Sequence, residues 1–231
     1  MNRRLFIGTL GAGALGTVAG CVSGLADDVA TFSATPARVS EDAAAEADYK
    51  YQGTRERIDS EVVGGQDVEV TSYISVYDRA IDLTGERFGG DALKASVFGV
   101  IATPQVSVDG EDFDPVGDLS NRELAERVQS HYSGIEVDRA VGGRALQALG
   151  QRFSFQSYEG IATLQAEYDV SVHLDVAQRD HEDDHVVVAA VYPTDSILSE
   201  GSEQGRIDTL TRGLEQYEGI DVKLESERSG E

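Results

Sequence analysis

Three acids stand between two histidines in Arg179-Asp180-His181-Glu182-Asp183-Asp184-His185, and another histidine, His173, lies just upstream. Imidazole nitrogens and carboxylate oxygens are the ordinary ligands of zinc and other divalent cations. If residues 179–185 connect two strands, His181 and His185 flank the turn and face one another. Cβ atoms of such a cross-strand pair lie about 4.5–5.5 Å apart, close enough to share a metal. Strand alternation puts His173 and His181 on one outward face. A metal at this place would use His173, His181, His185 and Asp183. A solvated acidic turn explains the same residues on so acidic a chain, and no group that would orient a ligand is legible nearby. The expectation is an exposed hairpin tip without a metal.

Other stretches carry weaker chemistry. Asp109-Gly110-Glu111-Asp112-Phe113-Asp114 alternates carboxylates as calcium loops do, but no glutamate closes it at the EF-hand offset. Asp114-Pro115 and Gly117 are good turn residues, so a structural loop is expected. Tyr49, Tyr51, Tyr73 and Tyr77 could make an aromatic platform with Arg55 and Arg57, although cross-strand packing alone accounts for them. No Gly-x-Ser-x-Gly elbow occurs, and no histidine stands beside a serine in a nucleophilic context. Gly89-Gly90 and Gly142-Gly143 lack the Lys-Ser/Thr of a phosphate loop and read as turns. The chain is therefore expected to be no enzyme and to need no cofactor.

The elements that position these residues alternate in the chain. Ser40 caps a short helix over Glu41–Ala47, with acids in its first turn where the macrodipole favours them. Gly64-Gly65 joins two strands, and Val68, Val70, Ile74 and Val76 alternate there with Glu69, Thr71, Tyr73 and Tyr77. An apolar strand ends at Pro104. Ser120 with Glu123 is a capping box, opening a helix that shows Leu124, Val128 and Tyr132 on one stripe and stops at Gly134. Strands follow near 144–149, 151–163, 167–178 and 186–192. A last helix over about 205–218 aligns Ile207, Leu210, Leu214 and Tyr217 and ends at Gly219. This order makes an α+β fold, an antiparallel sheet with helices packed on it.

The 231 residues carry a formal charge of −23, with only three lysines, Lys50, Lys94 and Lys223. Such a charge repels nucleic acid and anionic headgroups, which excludes nucleic-acid partners. In molar salt the Debye length is about 3 Å and the self-repulsion largely vanishes, so the surface suits a saline medium.

The N-terminus is the most specific signal. Arg3-Arg4 precedes a short, glycine-rich apolar run and then Val18-Ala19-Gly20-Cys21. The run is shorter than the ~20 residues of a spanning helix. The arginine pair resembles a twin-arginine export signal, and residues 18–21 resemble a lipobox cut before a lipidated cysteine. The expected organisation is a signal peptide over 1–20, a tether over 21–29, one α+β domain over 30–222 and a disordered acidic tail over 223–231. Cys21 would hold the protein to the outer face of the cell membrane, and two lipid chains suffice where one binds marginally.

The segments Ala102–Ile135, Phe32–Ser40 and Val186–Pro193 resemble a haloarchaeal family of twin-arginine-exported lipoproteins built on a domain of unknown function (DUF6517). The most specific part runs from Thr103-Pro104 to Leu119, and the likeness covers most of 21–222. The strand–helix–strands–helix order also resembles the PsbP-like sandwich, whose members include extrinsic subunits docking on membrane complexes. That likeness is one of fold alone. Together they imply a lipid-anchored binding or accessory module with a possible membrane-complex partner. The alternatives are a solute- or metal-binding lipoprotein and, third, an extracellular hydrolase.

Overall fold

The computed structural model describes residues 29–82, 92–108, 110–114, 116–131, 135–164, 168–194, 202–216 and 225–227. The export and lipobox residues Arg3, Arg4, Val18, Ala19, Gly20 and Cys21 lie outside the described residues, as do Tyr132, Gly134, Tyr217 and Gly219.

The chain order is β1 (Val29–Ser33), β2 (Ala37–Val39), α1 (Glu41–Glu46), β3 (Lys50–Val63), β4 (Gln66–Asp82), β5 (Ala92–Pro104), β6 (Val106–Val108) and β7 (Glu111–Phe113). It continues with α2 (Asn121–His131), β8 (Ile135–Ala148), β9 (Gln151–Leu164), β10 (Tyr168–His181), β11 (Asp184–Pro193), α3 (Glu203–Arg212), β12 (Leu214–Gln216) and β13 (Glu225–Glu227). One sheet runs in the order β13-β3-β4-β5-β11-β10-β9-β8. It is mostly antiparallel, but β1 joins the first half of β4 in parallel and β13 joins β3 in parallel. The sheet is therefore mixed at its margins. Part of the tail expected to be unstructured forms the edge strand β13.

Both faces of the sheet carry core. On the first face Tyr77, Phe98, Val100, Val188 and Phe153 pack with Ala44 of α1, Ile207 and Leu210 of α3, and Val39 and Leu214 of a β2–β12 ribbon. On the second face Leu174, Val176 and Val187 pack with Leu124 and Ala125 of α2. A smaller core beyond the end of β5 joins Val68 and Val70 to Val106 and Val108, the latter two on the β6–β7 hairpin. The tyrosine-bearing side of β4 is thus a second packing layer. The side of β10 that carries His173, Asp175 and Ala177 is also covered where outward exposure was expected, and Asp175 is 0% exposed.

The caps explain two helix boundaries. Ser40 accepts from the Ala43 amide and opens α1 as expected. Ser202 accepts from the Gly205 amide and opens α3, but that helix ends at Gly213, well before Gly219. Leu214 keeps its place in the core by leaving the helix and pairing with Val39. Helical periodicity and a strand pointing at the same core both bury Leu214, so spacing alone could not separate them.

Candidate functional site

The histidines do not converge. β10 and β11 continue into the acidic stretch, and only Glu182-Asp183 turn, with Glu182 in the left-handed region at φ 54°. Register pairs His181 with Asp184 and Asp180 with His185. Directly opposed residues share a face, so a two-residue turn sends His181 and His185 to opposite faces. A facing pair would need a longer turn. His173 stands eight residues from His181 along β10, roughly 26 Å at strand rise. It rests edge-on against the Tyr192 ring, 5.7 Å between centroids. Among the described residues no group of three His, Cys, Asp or Glu side chains is arranged to hold a metal ion.

The tip is also less exposed than expected, for Asp184 and His185 are each 5% exposed. On the second face His185 Nδ1 meets Asp180 Oδ1 at 2.6 Å, and Nε2 meets Gln178 Oε1 at 2.9 Å. Gln178 Nε2 donates to the Leu119 carbonyl at 2.7 Å, which ties the acidic loop to the sheet. In that loop Asp114 Oδ1 accepts from the amides of Val116 and Gly117 at 3.1 and 2.7 Å. The carboxylate closes a turn. On the first face Asp184 Oδ2 accepts from the Thr35 amide at 2.9 Å and from Gln216 Nε2 at 2.5 Å. Burial pushes the Asp184 carboxyl up to about 6, against the opposing pull of these donors. Asp183 turns its carbonyl to the Gln105 amide.

The tyrosines gather, but without Arg55 and Arg57. Tyr73 and Tyr77 alternate onto the first face, whereas Arg55 lies opposite Ile74 and Arg57 opposite Ser72, on the second. A bulge between Tyr51 and Gly53 adds one residue to β3, and Gly53 takes φ 137° to form it. Regular pairing from Thr54 would turn Tyr51 to the second face; the extra residue returns it to the first, opposite Tyr77. Their ring centroids lie 5.1 Å apart.

These rings floor a cleft of about 260 Å³ whose walls are Ala44 and Ala45 of α1 and Val39 of β2, with Arg38, Glu41 and Tyr49 also lining it. All three hydroxyls turn inward. Tyr51 bonds to Thr54, while Tyr49 donates to Ser96 at 2.8 Å. Tyr77 accepts from the Val39 amide and donates to its carbonyl, at 2.9 and 3.2 Å. Burial pushes the Tyr77 phenol up to about 12 and that of Tyr49 further. Arg38 Nε meets Glu215 across the β2–β12 ribbon at 3.1 Å. The cleft thus presents the exposed Tyr51 ring over Tyr49, Tyr77, Val39 and Ala44, which are themselves buried, with charge from Arg38 and Glu41.

Two buried ionic networks escaped the sequence reading. Asp175 Oδ2 receives Arg144 and the Tyr192 hydroxyl, each at 2.7 Å, and Arg144 also reaches Asp208 of α3 at 2.7 Å. Burial lowers the Arg144 pKa, but Asp175 and Asp208 outweigh it and hold the guanidinium above its usual range. Glu203 at the start of α3 joins Arg79, Ser96 and Tyr49, with Ser96 Oγ 3.1 Å from Glu203 Oε2. Their members stand far apart in the chain, and no spacing announces them. The one local signal is Asp175 within the apolar run of β10.

Among solved structures the chain is similar to cyanobacterial PsbP (CyanoP) from Synechocystis sp. PCC 6803. Identity is 12% over 89% of this chain and 100% of that one, with a TM-score of 0.33. No curated protein matches. The family model for a domain of unknown function (DUF6517) matches residues 36–215, through both walls of the cleft and the β10–β11 hairpin, and the chain belongs to that family.

Proposed function

We propose that the protein is a lipid-anchored module on the outer face of a halophile's cell membrane that binds a partner at the tyrosine cleft and performs no chemistry of its own. The observation that carries the binding reading is the inward turn of the three hydroxyls. It leaves the exposed Tyr51 to present its ring above the buried rings of Tyr49 and Tyr77, beside no paired nucleophile and base among the cleft residues. A cleft of about 260 Å³ falls below the usual range for whole small ligands, roughly 300–1,000 Å³. It suits one side chain of a protein partner better than a solute, which favours an accessory module over a solute-binding lipoprotein. His181 and His185 stand on opposite faces of the hairpin, which favours this reading over a metal-binding lipoprotein. The anchor rests on Arg3-Arg4, the apolar run and Cys21. No helix among the described residues is long and apolar enough to cross a membrane.

The test is capture from native membranes in molar salt, with wild type and Tyr51→Ala compared. Tyr51 is 42% exposed, so its truncation leaves the core in place. A membrane protein retained by the wild type and lost from the variant is the expected result. Equal retention by both would remove the cleft from the binding surface.

A further inference from the structure

Asp184 lies outside the cleft but holds one of its walls. The β2–β12 ribbon carries Arg38, Val39 and Glu215, and its register pairs Ala37 with Gln216 and Val39 with Leu214. At the cleft end Val39 is fixed by Tyr77. In the middle Ser75 Oγ donates to the Ala37 carbonyl at 2.6 Å. At the far end Gln216 Nε2 is shared between Asp184 Oδ2 and the Thr35 carbonyl, 2.5 and 2.9 Å away. The Thr35 amide also points to Asp184 Oδ2. One carboxylate oxygen therefore joins the β1–β2 connection to β12, about two residues or ~7 Å along the ribbon from the cleft wall.

We propose that Asp184 is the positioning residue of the tyrosine cleft, a clamp on the β2–β12 ribbon that sets Arg38 and Val39 against Tyr51 and Tyr77. The clamp deepens the binding reading above and rests on it for its purpose, though not for its geometry. It also gives the acidic hairpin a role other than metal binding.

The groups facing Asp184 are few. His181 opposes it on β10 and Asp183 precedes it in the turn; Pro104 of β5, Thr35 and Gln216 bring no charge. Burial raises its folded pKa to about 6 from the ordinary 3.8. A raised carboxyl favours the clamped state while protonated. The clamp is tightest below about pH 4 and loosens as pH rises through about 6.

Hydrogen exchange in the full-length chain, resolved at Thr35 and Val39 and corrected for intrinsic rates, tests the clamp without any ligand. Amides of Val100 and Val188 in the central strands report global opening. Asp184→Ala should speed exchange at Thr35 about tenfold, and at Val39 by a smaller factor, relative to those reporters. Asp184→Asn keeps an acceptor oxygen and should preserve protection while abolishing the change between pH 4 and 7 that wild type shows. Unchanged Val39 protection in Asp184→Ala would overturn the clamp, as would a wild-type pH response in Asp184→Asn. If the alanine variant does not fold, the asparagine pH profile decides. Failure of membrane capture by the cleft would leave these exchange results standing, so the two readings fail separately.

Discussion

Asp175 has no exposure and Arg144 only 15% of its side chain, so neither charge can turn to water if its partner is lost. Removing one member of a buried pair leaves an uncompensated charge, which typically costs ~3–5 kcal/mol. Arg144→Ala should therefore lower stability by about that amount in urea unfolding at high salt. The double variant Arg144→Met/Asp175→Leu should lose much less, because apolar side chains of similar size need no partner. Buried phenols make a second residue-scale prediction. Tyr77 ionises near pH 12 rather than 10 because burial disfavours the phenolate, and Tyr49 and Tyr192 are pushed still higher for the same first cause. A raised folded pKa contributes stability that is whole below the unfolded value and lost as pH climbs through the folded one. Denaturation midpoints should fall between pH 10 and 12, with phenolate absorbance rising in step with unfolding.

At the scale of elements, two glycines decide geometry that the site needs. Gly53 at φ 137° makes the bulge that turns Tyr51 toward Tyr77. Gly53→Ala should cost about 1–3 kcal/mol of backbone strain. Loss of the Tyr51–Tyr77 ring contact, read from proton shifts, would accompany it. Gly213 ends α3 where a Cβ would collide with Ala43 of α1 and approach Val39 to 3.4 Å. Gly213→Ala should push the two helices apart, weaken the 2.8 Å hydrogen bond that the Ser40 amide donates to the Gly213 carbonyl, and lower the melting temperature. Most strand elements were legible from alternation, as were the Gly64-Gly65 hairpin and the Ser40 cap, but β8 starts at Ile135 rather than near 144 and carries Gly142-Gly143, expected as a turn, paired with Ser157 and Gln156. The bulge was not, because Gln52 and Gly53 look like ordinary strand residues until the partner strand is present. The end of α3 was hidden for a related reason, since Leu214 is buried in either conformation.

Across the whole molecule, charge is the dominant variable. The formal charge of −23 would become about −25 if the proposed export signal over residues 1–20 were removed with Arg3 and Arg4. Dialysis from molar to about 0.1 M salt lengthens the Debye length from ~3 to ~10 Å and restores the self-repulsion. A marked fall in melting temperature is expected, and a salt-independent curve would contradict the proposed adaptation to a saline medium. Anchoring is tested at the same scale. Cys21→Ser should release the protein from membranes or leave it unprocessed, and Arg3-Arg4→Lys-Lys should leave precursor in the cytoplasm. A Cys21→Ser protein that is cleaved normally and stays bound would end the lipoprotein reading.

Local order in the chain determined the strand-rich α+β class, two helix starts, the Gly64-Gly65 turn and the family. These depend on periodicity, turn chemistry and short motifs, which neighbouring residues settle among themselves. Tertiary structure alone decided what the acidic hairpin does. His181 and His185 are four residues apart in either arrangement, and a turn of two residues rather than three sends them to opposite faces. Asp184 gained its role from Thr35 and Gln216, which lie 149 and 32 residues away. Arg144, Asp175 and Asp208 met for the same reason. Register and layer packing bring such residues together, and neither is written in the spacing along one strand.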